Sequence, residues 1–367
     1  MAEVLEYKCP GCGAPLVFDS GAQDMSCAHC GNSFAVETLK EYEAAKGFGD
    51  ADCEWGDYSR DSGGGDWQAG EQENLRLASC PSCGGELIGD AATIAAECPY
   101  CGNMMILREQ IAGQLRPDFV LPFRLDKEAA TAALKNFYKN KPLLPGAFKD
   151  QNHIESIKGV YVPFWLFDCG TSARITYRAT RVSFRSDSRY NYTTTRHYHV
   201  LRAGDIDFAR VPVDGSGKID DVYMEALEPF DYTDFQPFST TYLSGFLADR
   251  YDVDAKASEG RANERIRASA QEMFDATVRR EGFTTYHAEA VNIRLKSGEI
   301  SYALLPVWLL NTKYRGRDYL FAMNGQTGKF TGRLPVSPGK FWGWLVGLFL
   351  GLGGVFATAV WLATGGL

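Results

Sequence analysis

Eight of the ten cysteines fall into two frames of identical spacing. Cys9-Pro10-Gly11-Cys12 is followed, after fourteen residues, by Cys27-Ala28-His29-Cys30. Cys80-Pro81-Ser82-Cys83 is followed, again after fourteen, by Cys98-Pro99-Tyr100-Cys101. A Cys-x-x-Cys turn puts two thiolates on one side of a tight loop. Two such turns joined by a short hairpin bring four sulfurs to the corners of a tetrahedron, the donor set that Zn²⁺ accepts. The expected cofactors are two structural zinc ions, one held by Cys9, Cys12, Cys27 and Cys30, the other by Cys80, Cys83, Cys98 and Cys101. Disulfides suit small secreted domains, and no signal peptide precedes Cys9. A redox Cys-x-x-Cys would occur singly, at a strand–helix junction.

The frames also match between the cysteines. Pro10 and Pro81 follow the first thiolate, Gly13 and Gly84 the second; Leu16 and Leu87 share an offset, and Gly31-Asn32 returns as Gly102-Asn103. This is a duplication with a period of 71 residues. Glycine after a Cys-x-x-Cys turn permits a positive φ, so that backbone N–H groups can point at sulfur. Units this small cannot hold a core, so metal binding is expected to supply their folding energy.

These motifs sit in a chain of 367 residues, a length that predicts two or three domains. The expected fold class is multidomain: two zinc ribbons, an α+β domain with a mainly antiparallel sheet, and one C-terminal transmembrane helix. Ribbon 1 spans 1–35, a short helix 36–46, an acidic Gly-rich linker 47–76, ribbon 2 77–110, the α+β domain 111–335 and the membrane helix 341–367. Hydrophobic content of 45% and aromatic content of 13% can support a core. The net charge is −8, and the ribbons are acidic, which argues against phosphate-gripping surfaces and hence against DNA or RNA as partner. Gly47–Asn74 carries too few apolar residues to bury and is expected to be disordered. Its Trp55, Tyr58 and Trp67 are either a partner-binding motif or incidental. Cys53 and Cys169 are expected to be unpaired thiols.

In the middle region, Val120–Leu125 predicts a strand and Asp126 an N-cap for a helix through Lys139. Ile154–Asp168 reads as strand, and Ser172–Phe184 with Tyr190–Val213 as a hairpin or meander. Pro229–Phe246 reads as an ordered loop, Ala255–Arg280 as the longest helix, and Asn292–Leu310 and Tyr319–Phe330 as strands turning at Asn324-Gly325. Val162-Pro163-Phe164-Trp165-Leu166 echoes Leu305-Pro306-Val307-Trp308-Leu309, either an old duplication or coincidence between buried strands.

Several motifs fail as catalytic sites. Gly215-Ser216-Gly217-Lys218 and Gly325-Gln326-Thr327-Gly328-Lys329 lack the first P-loop glycine and the Ser or Thr after lysine, so both read as turns. His197 and His199 share a strand face but have no evident third ligand. No Ser/His/Asp set, paired-carboxylate motif or HExxH occurs, and no enzymatic activity is expected. Arg174, Arg178, Arg181, Arg185, Arg189 and Arg196 form a candidate basic surface, with Arg202, Arg210 and four tyrosines nearby. Such a surface could meet anionic lipid, the acidic linker or an acidic partner, or be a solvated sheet face whose arginine stems cover apolar area.

From Phe341 to Leu367 no residue is charged, a length sufficient to cross a bilayer. Lys329, Arg333 and Lys340 precede the segment and nothing basic follows it, so residues 1–340 are expected in the cytoplasm. The chain thus reads as tail-anchored. Gly343, Gly347 and Gly351 recur every fourth residue and would permit close helix–helix packing, hence a homo-oligomer.

The ribbons, YVPFWLFDC (161–169), GRANERI (260–266), LLPVWLLNT (304–312) and YLFAMNGQTGKFTG (319–332) together resemble a bacterial family labelled zinc-ribbon proteins of the transcription-factor-IIB type, with a C-terminal membrane helix. The resemblance covers nearly the whole chain. It implies the same eight cysteines as zinc ligands, no catalytic residue, and a place beside SPFH-domain (flotillin-like) or phage-shock-protein-A-like partners in envelope stress. The expected function is a membrane adaptor that recruits proteins through its ribbons; the alternative is a membrane-tethered nucleic-acid-binding protein.

Overall fold

The computed structural model describes residues 7–46, 48–56, 58, 66–68, 70–73, 75–90, 97–108, 115–139, 141–146, 148 and 157–363. In chain order the elements are β1 (Val17–Asp19), β2 (Asp24–Ser26), β3 (Ser33–Ala35), α1 (Val36–Lys46), β4 (Leu75–Ser79), β5 (Glu86–Asp90), β6 (Ile106–Arg108), β7 (Phe119–Val120), α2 (Lys127–Lys139), β8 (Lys158–Ser186), β9 (Asn191–Asp214), α3 (Asp221–Leu227), β10 (Gln236–Pro237), β11 (Leu247–Asp249), α4 (Ala255–Arg279), β12 (Thr285–Tyr314), β13 (Arg317–Asn324), β14 (Phe330–Gly332) and α5 (Pro338–Ala363). By packing, the chain divides into two compact units. One holds Met1–Asp57, Leu166–Val213 and Lys256–Ile300; the other holds Tyr58–Trp165, Asp214–Ala255 and Ser301–Leu367. The division crosses the 111–335 region.

The first unit carries β1, β2 and β3 as a separate antiparallel sheet, in that order, followed by α1. Its main core lies under α4. Ala262, Ile266, Ala270, Phe274 and Val278 recur every fourth residue, which places them on one helix face. Four of them, Ile266 to Val278, pack against Ile175, Tyr177 and Ala179 of β8, Val200 of β9, and Ile293 and Leu295 of β12. Tyr177, buried with this set, donates its hydroxyl to Asp275 of the same helix at 2.7 Å.

The segment expected to be disordered departs from that reading over residues 48–56, which run beside β12. Ala51 and Trp55 form parallel bridges with Arg294 and Gly298. Leu295 N–H donates to Ala51 O (3.0 Å) and Gly56 N–H to Gly298 O (3.0 Å). The Trp55 ring meets Phe167 edge-on at 4.8 Å, and its Nε1 donates to Asn263 Oδ1 at 2.9 Å. The ring lies where any Cβ on Gly298 would be, so only glycine fits there. One aromatic anchor and a strand-like ladder order a segment too polar to make a core of its own. Residues 59–65 of the linker lie outside the described residues.

The second unit contains a mixed but mainly antiparallel sheet in which β7 pairs parallel with β12 and β11 parallel with β8. Helix α2 covers it with Ala130, Leu134 and Tyr138, again at every fourth position, against Trp308, Leu310, Phe321 and Met323. Asp126 caps the helix, its Oδ1 accepting from Ala129 N–H at 2.8 Å.

The echo between residues 162–166 and 305–309 is a structural repeat. Trp165 Nε1 donates to Val253 O (2.9 Å), and Trp308 Nε1 to Leu125 O (3.0 Å). An aspartate and a helix follow each acceptor: Asp126 before α2, Asp254 before α4. Gly215 N–H donates to Pro163 O (2.8 Å) and Gly325 N–H to Pro306 O (2.9 Å); Gly215 O accepts from Asp252 and Val253, Gly325 O from Arg124 and Leu125. The two failed P-loop motifs are thus equivalent turns, each following the return strand of a long hairpin. Coincidence does not reproduce four matched hydrogen bonds.

Some boundaries differ from the sequence reading. The strand expected over 120–125 ends at Val120, because Pro122 cannot extend a ladder and Arg124 and Leu125 turn their N–H groups to Gly325. The expected strands ending at Asp168 and starting at Ser172 are one element, β8; Gly170 does not break it. The Pro229–Phe246 loop contains β10 and two 3₁₀ turns, Tyr232–Asp234 and Thr240–Leu243. Helix α5 begins at Pro338, three residues before the charge-free segment, and residues 364–367 lie outside the described residues.

Candidate metal centres

Each cysteine pair is held by the same backbone device. Cys9 N–H donates to Ala14 O and Gly13 N–H to Cys9 O, both at 2.8 Å. The pattern recurs at Cys27 with Asn32 and Gly31, at Cys80 with Gly85 and Gly84, and at Cys98 with Asn103 and Gly102, at 2.8–2.9 Å. Gly13, Gly31, Gly84 and Gly102 have φ of 75°, 72°, 69° and 71°, the left-handed region that explains their recurrence in the sequence.

The turns converge as the spacing predicts. Cys9 Sγ lies 3.6 Å from Cys30 Sγ, and Cys12 Sγ 3.5 Å from Cys27 Sγ. In the second cluster Cys80 and Cys101 are 3.5 Å apart, Cys83 and Cys98 3.6 Å. Within each cluster all four sulfurs lie within 4.8 Å of one another, so each can hold a metal ion. A tetrahedral site with Zn–S bonds of about 2.3 Å needs sulfurs about 3.8 Å apart, and the donor set fits. Backbone N–H groups already point at sulfur: those of Cys30 and His29 lower the Cys27 thiol to about 6. In the second cluster Asn103 adds a side-chain donor to Cys101 Sγ at 3.4 Å.

The clusters differ in their surroundings. Cys12 and Cys30 are exposed, and the first cluster's core consists of Cys9, Leu16, Cys27 and Leu39. No cysteine of the second cluster is exposed. Its β5 pairs with β11, Leu87 opposite Asp249 and Ile88 opposite Ala248. Arg250 bonds Glu86 at 2.7 Å, Lys158 Nζ donates to Glu97 O at 2.6 Å, and Asn311 Nδ2 donates to Tyr100 O.

The sequence did not mark Asp249. It is 2% exposed and accepts from Ser216 Oγ at 2.5 Å, with the Tyr100 hydroxyl beside its carboxyl. Burial raises its carboxyl to about 7. In the structural repeat Asp249 stands where Leu121 stands in the first copy, so sequence periodicity alone predicts an apolar residue there. Trp55, Tyr58 and Trp67 are also structural: Tyr58 donates to Asp118 Oδ2 at 2.6 Å, and Trp67 meets Phe238 at 5.8 Å.

Other candidates separate rather than gather. His199 Nδ1 is 3.7 Å from Glu289, too far to bond, and His197 is exposed; among the described residues the two cysteine sets are the groups that could hold a metal. Arg174 stacks over Phe48, Arg178 pairs with Glu289 at 2.6 Å, and Arg181 lies over Phe283 and donates to Glu281 O. Arg185, Arg189 and Arg196 are exposed. Of the six, Arg178 is the one paired with a carboxylate among the described residues, while Arg174 and Arg181 are held by ring faces. Cys53 and Cys169 are free thiols; Cys53 donates to Lys296 O at 2.5 Å, and burial pushes it up to about 12. Helix α5 has 26 residues, long and apolar enough to cross a membrane, and none of its residues is buried. Around Gly343, Gly347 and Gly351 a Cβ would meet nothing.

No family model matches the chain, and no solved structure matches it. It is 33% identical over 353 residues to the protein of Bacillus subtilis (strain 168) named "Uncharacterized protein YdjG", an alignment covering 96% of each sequence. Identity of that extent over nearly the whole of both sequences shows common descent: the chain belongs to the YdjG family.

Proposed function

We propose that the protein is a single-pass membrane adaptor that faces the cytoplasm and recruits protein partners through two zinc-loaded ribbons. The observation that carries this reading is the presence, in one chain, of two preorganised four-cysteine clusters and a fully exposed apolar helix. Thiolate clusters persist in a reducing compartment, which agrees with the orientation drawn from Lys329, Arg333 and Lys340 ahead of the helix. Zinc, when bound, cross-links four thiolates and so fixes each hairpin. The chain's own N–H groups then spread the thiolate charge, and the ribbon surface outside the sulfurs is left for contact.

The resemblance to membrane-anchored zinc-ribbon proteins adds SPFH-domain or phage-shock-protein-A-like proteins as the partner class. The glycine face of α5 supports self-association in the bilayer. The test is affinity capture from detergent-solubilised membranes with the wild type and with Cys27→Ser and Cys98→Ser, alongside metal analysis. The adaptor reading expects two zinc ions per chain and a partner lost from at least one variant. A partner set indifferent to both substitutions, or an N-terminal tag cut by protease added outside intact cells, would overturn it.

A further inference from the structure

We infer that the free end of the β8–β9 hairpin docks on an anionic membrane surface. Every residue from Ser183 to His197 is exposed, so both faces of this two-stranded ribbon lack a core to cover. An isolated two-stranded hairpin is marginal in water. This one nevertheless keeps its ladder to the tip, closed by Asp187 N–H to Tyr190 O at 2.9 Å. It also presents large apolar groups to solvent: Phe184 is 80% exposed, Tyr190 65% and Tyr192 48%.

Charge chooses the occupant. Between Arg181 and Arg196 there are four arginines and one acid, Asp187, in a chain whose net charge is −8. Asp187 is engaged in the turn, accepting from the backbone N–H groups of Arg189 (2.8 Å) and Tyr190 (2.7 Å). Arg181 is held at the base, over Phe283. Arg185, Arg189 and Arg196 have no carboxylate partner among the described residues. Three unpaired arginines interleaved with Phe and Tyr match the lipid headgroup layer, where aromatic rings settle at the interface and each cation gains from the surface potential. This inference rests on the reading of α5 as a membrane anchor, because the anchor keeps a bilayer permanently within reach of the chain. A basic β-ribbon also suits a nucleic-acid groove, and the experiment includes that outcome.

The experiment is hydrogen exchange on the full chain reconstituted into lipid nanodiscs, one set of phosphatidylcholine alone, the other with phosphatidylglycerol added. Incorporation into the discs reads the anchor; exchange at 183–197 reads the hairpin. The expected result is exchange at least about fivefold slower in the anionic discs only, since one arginine near such a surface gains about that factor. The triple variant Arg185→Ser/Arg189→Ser/Arg196→Ser should abolish the slowing, with exchange in β8 residues 173–179 unchanged. Equal exchange in the two disc types overturns the inference while leaving the anchor intact. So does slowing that survives in the triple variant, or slowing produced by duplex DNA and not by anionic lipid. Failure to enter either disc overturns both readings.

Discussion

The two ribbons share one ligand frame and one set of turns, yet they are built into the molecule in different ways. Ribbon 1 is a sheet of its own, three strands of three residues, with Val17 and Phe18 facing solvent and two of its four cysteines exposed. Ribbon 2 has two five-residue strands, and one of them, β5, continues through β11 into the sheet of the second unit. Leu16 and Leu87 occupy equivalent positions, but Leu16 is 8% exposed beside three other core residues and Leu87 is 0% exposed in a continuous sheet. Duplication thus preserved the metal-binding geometry while the second copy became part of a larger core. Metal should be the main folding energy of ribbon 1, and for ribbon 2 one contribution among several.

The largest expected difference follows from cutting each cluster. Cys98→Ser should open ribbon 2 and strip β11 of its neighbour β5. The expected loss is on the order of 5 kcal/mol, part of the roughly 10–16 kcal/mol that structural zinc can supply. The main thermal transition should then fall by about 10 °C or more. Cys27→Ser should release residues 7–46 with little change in that transition. Calorimetry with hydrogen exchange checks both, and equal drops would erase the contrast. The paired leucines come next. Leu87→Ala should cost about 3 kcal/mol and Leu16→Ala about 1 kcal/mol, because truncation costs scale with the cavity left behind. Chemical denaturation of the two variants reads the ratio.

Gly298→Ala tests how ribbon 1's chain is tied down. The added methyl would displace the Trp55 ring, raising proteolysis at residues 48–56 by about tenfold without lowering metal content. Loss of metal in this variant would mean that ribbon 1 depends on the strap, contrary to its account as a self-contained sheet. The last test is pH-dependent and belongs to ribbon 2's seam. Asp249 has a folded pKa of about 7, above the value of about 4 for an unfolded aspartate. Its contribution is fully present below pH 4 and is lost as pH rises through 7. Asp249→Asn should therefore gain on the wild type between about pH 4 and pH 7 in unfolding experiments; a constant difference would place the charge elsewhere.

The cysteine clusters were legible because their physics is local: eight thiols, four glycines that need positive φ, and a fixed hairpin length. The apolar helix was legible for the same reason. The strand β8 was cut in two in the sequence reading because Gly170 resembles a break, whereas pairing with its neighbours carries β8 through it. Trp55 was ambiguous because its anchor, Asn263, lies 208 residues away. Asp249 left no trace, since a buried carboxylate in a three-residue strand looks like any surface aspartate. The split among the arginines depends on Glu289, Glu281 and Phe48, which only the fold brings to them.

The most direct test is stepwise removal of metal by a chelator, followed by native mass spectrometry and hydrogen exchange on the same samples. Two zinc ions at the outset are predicted. The first should leave with faster exchange confined to residues 7–46, the second with faster exchange across 75–108 and into β11 and β8. A chain that carries no zinc, or that loses both ions together with one uniform opening, would contradict the account.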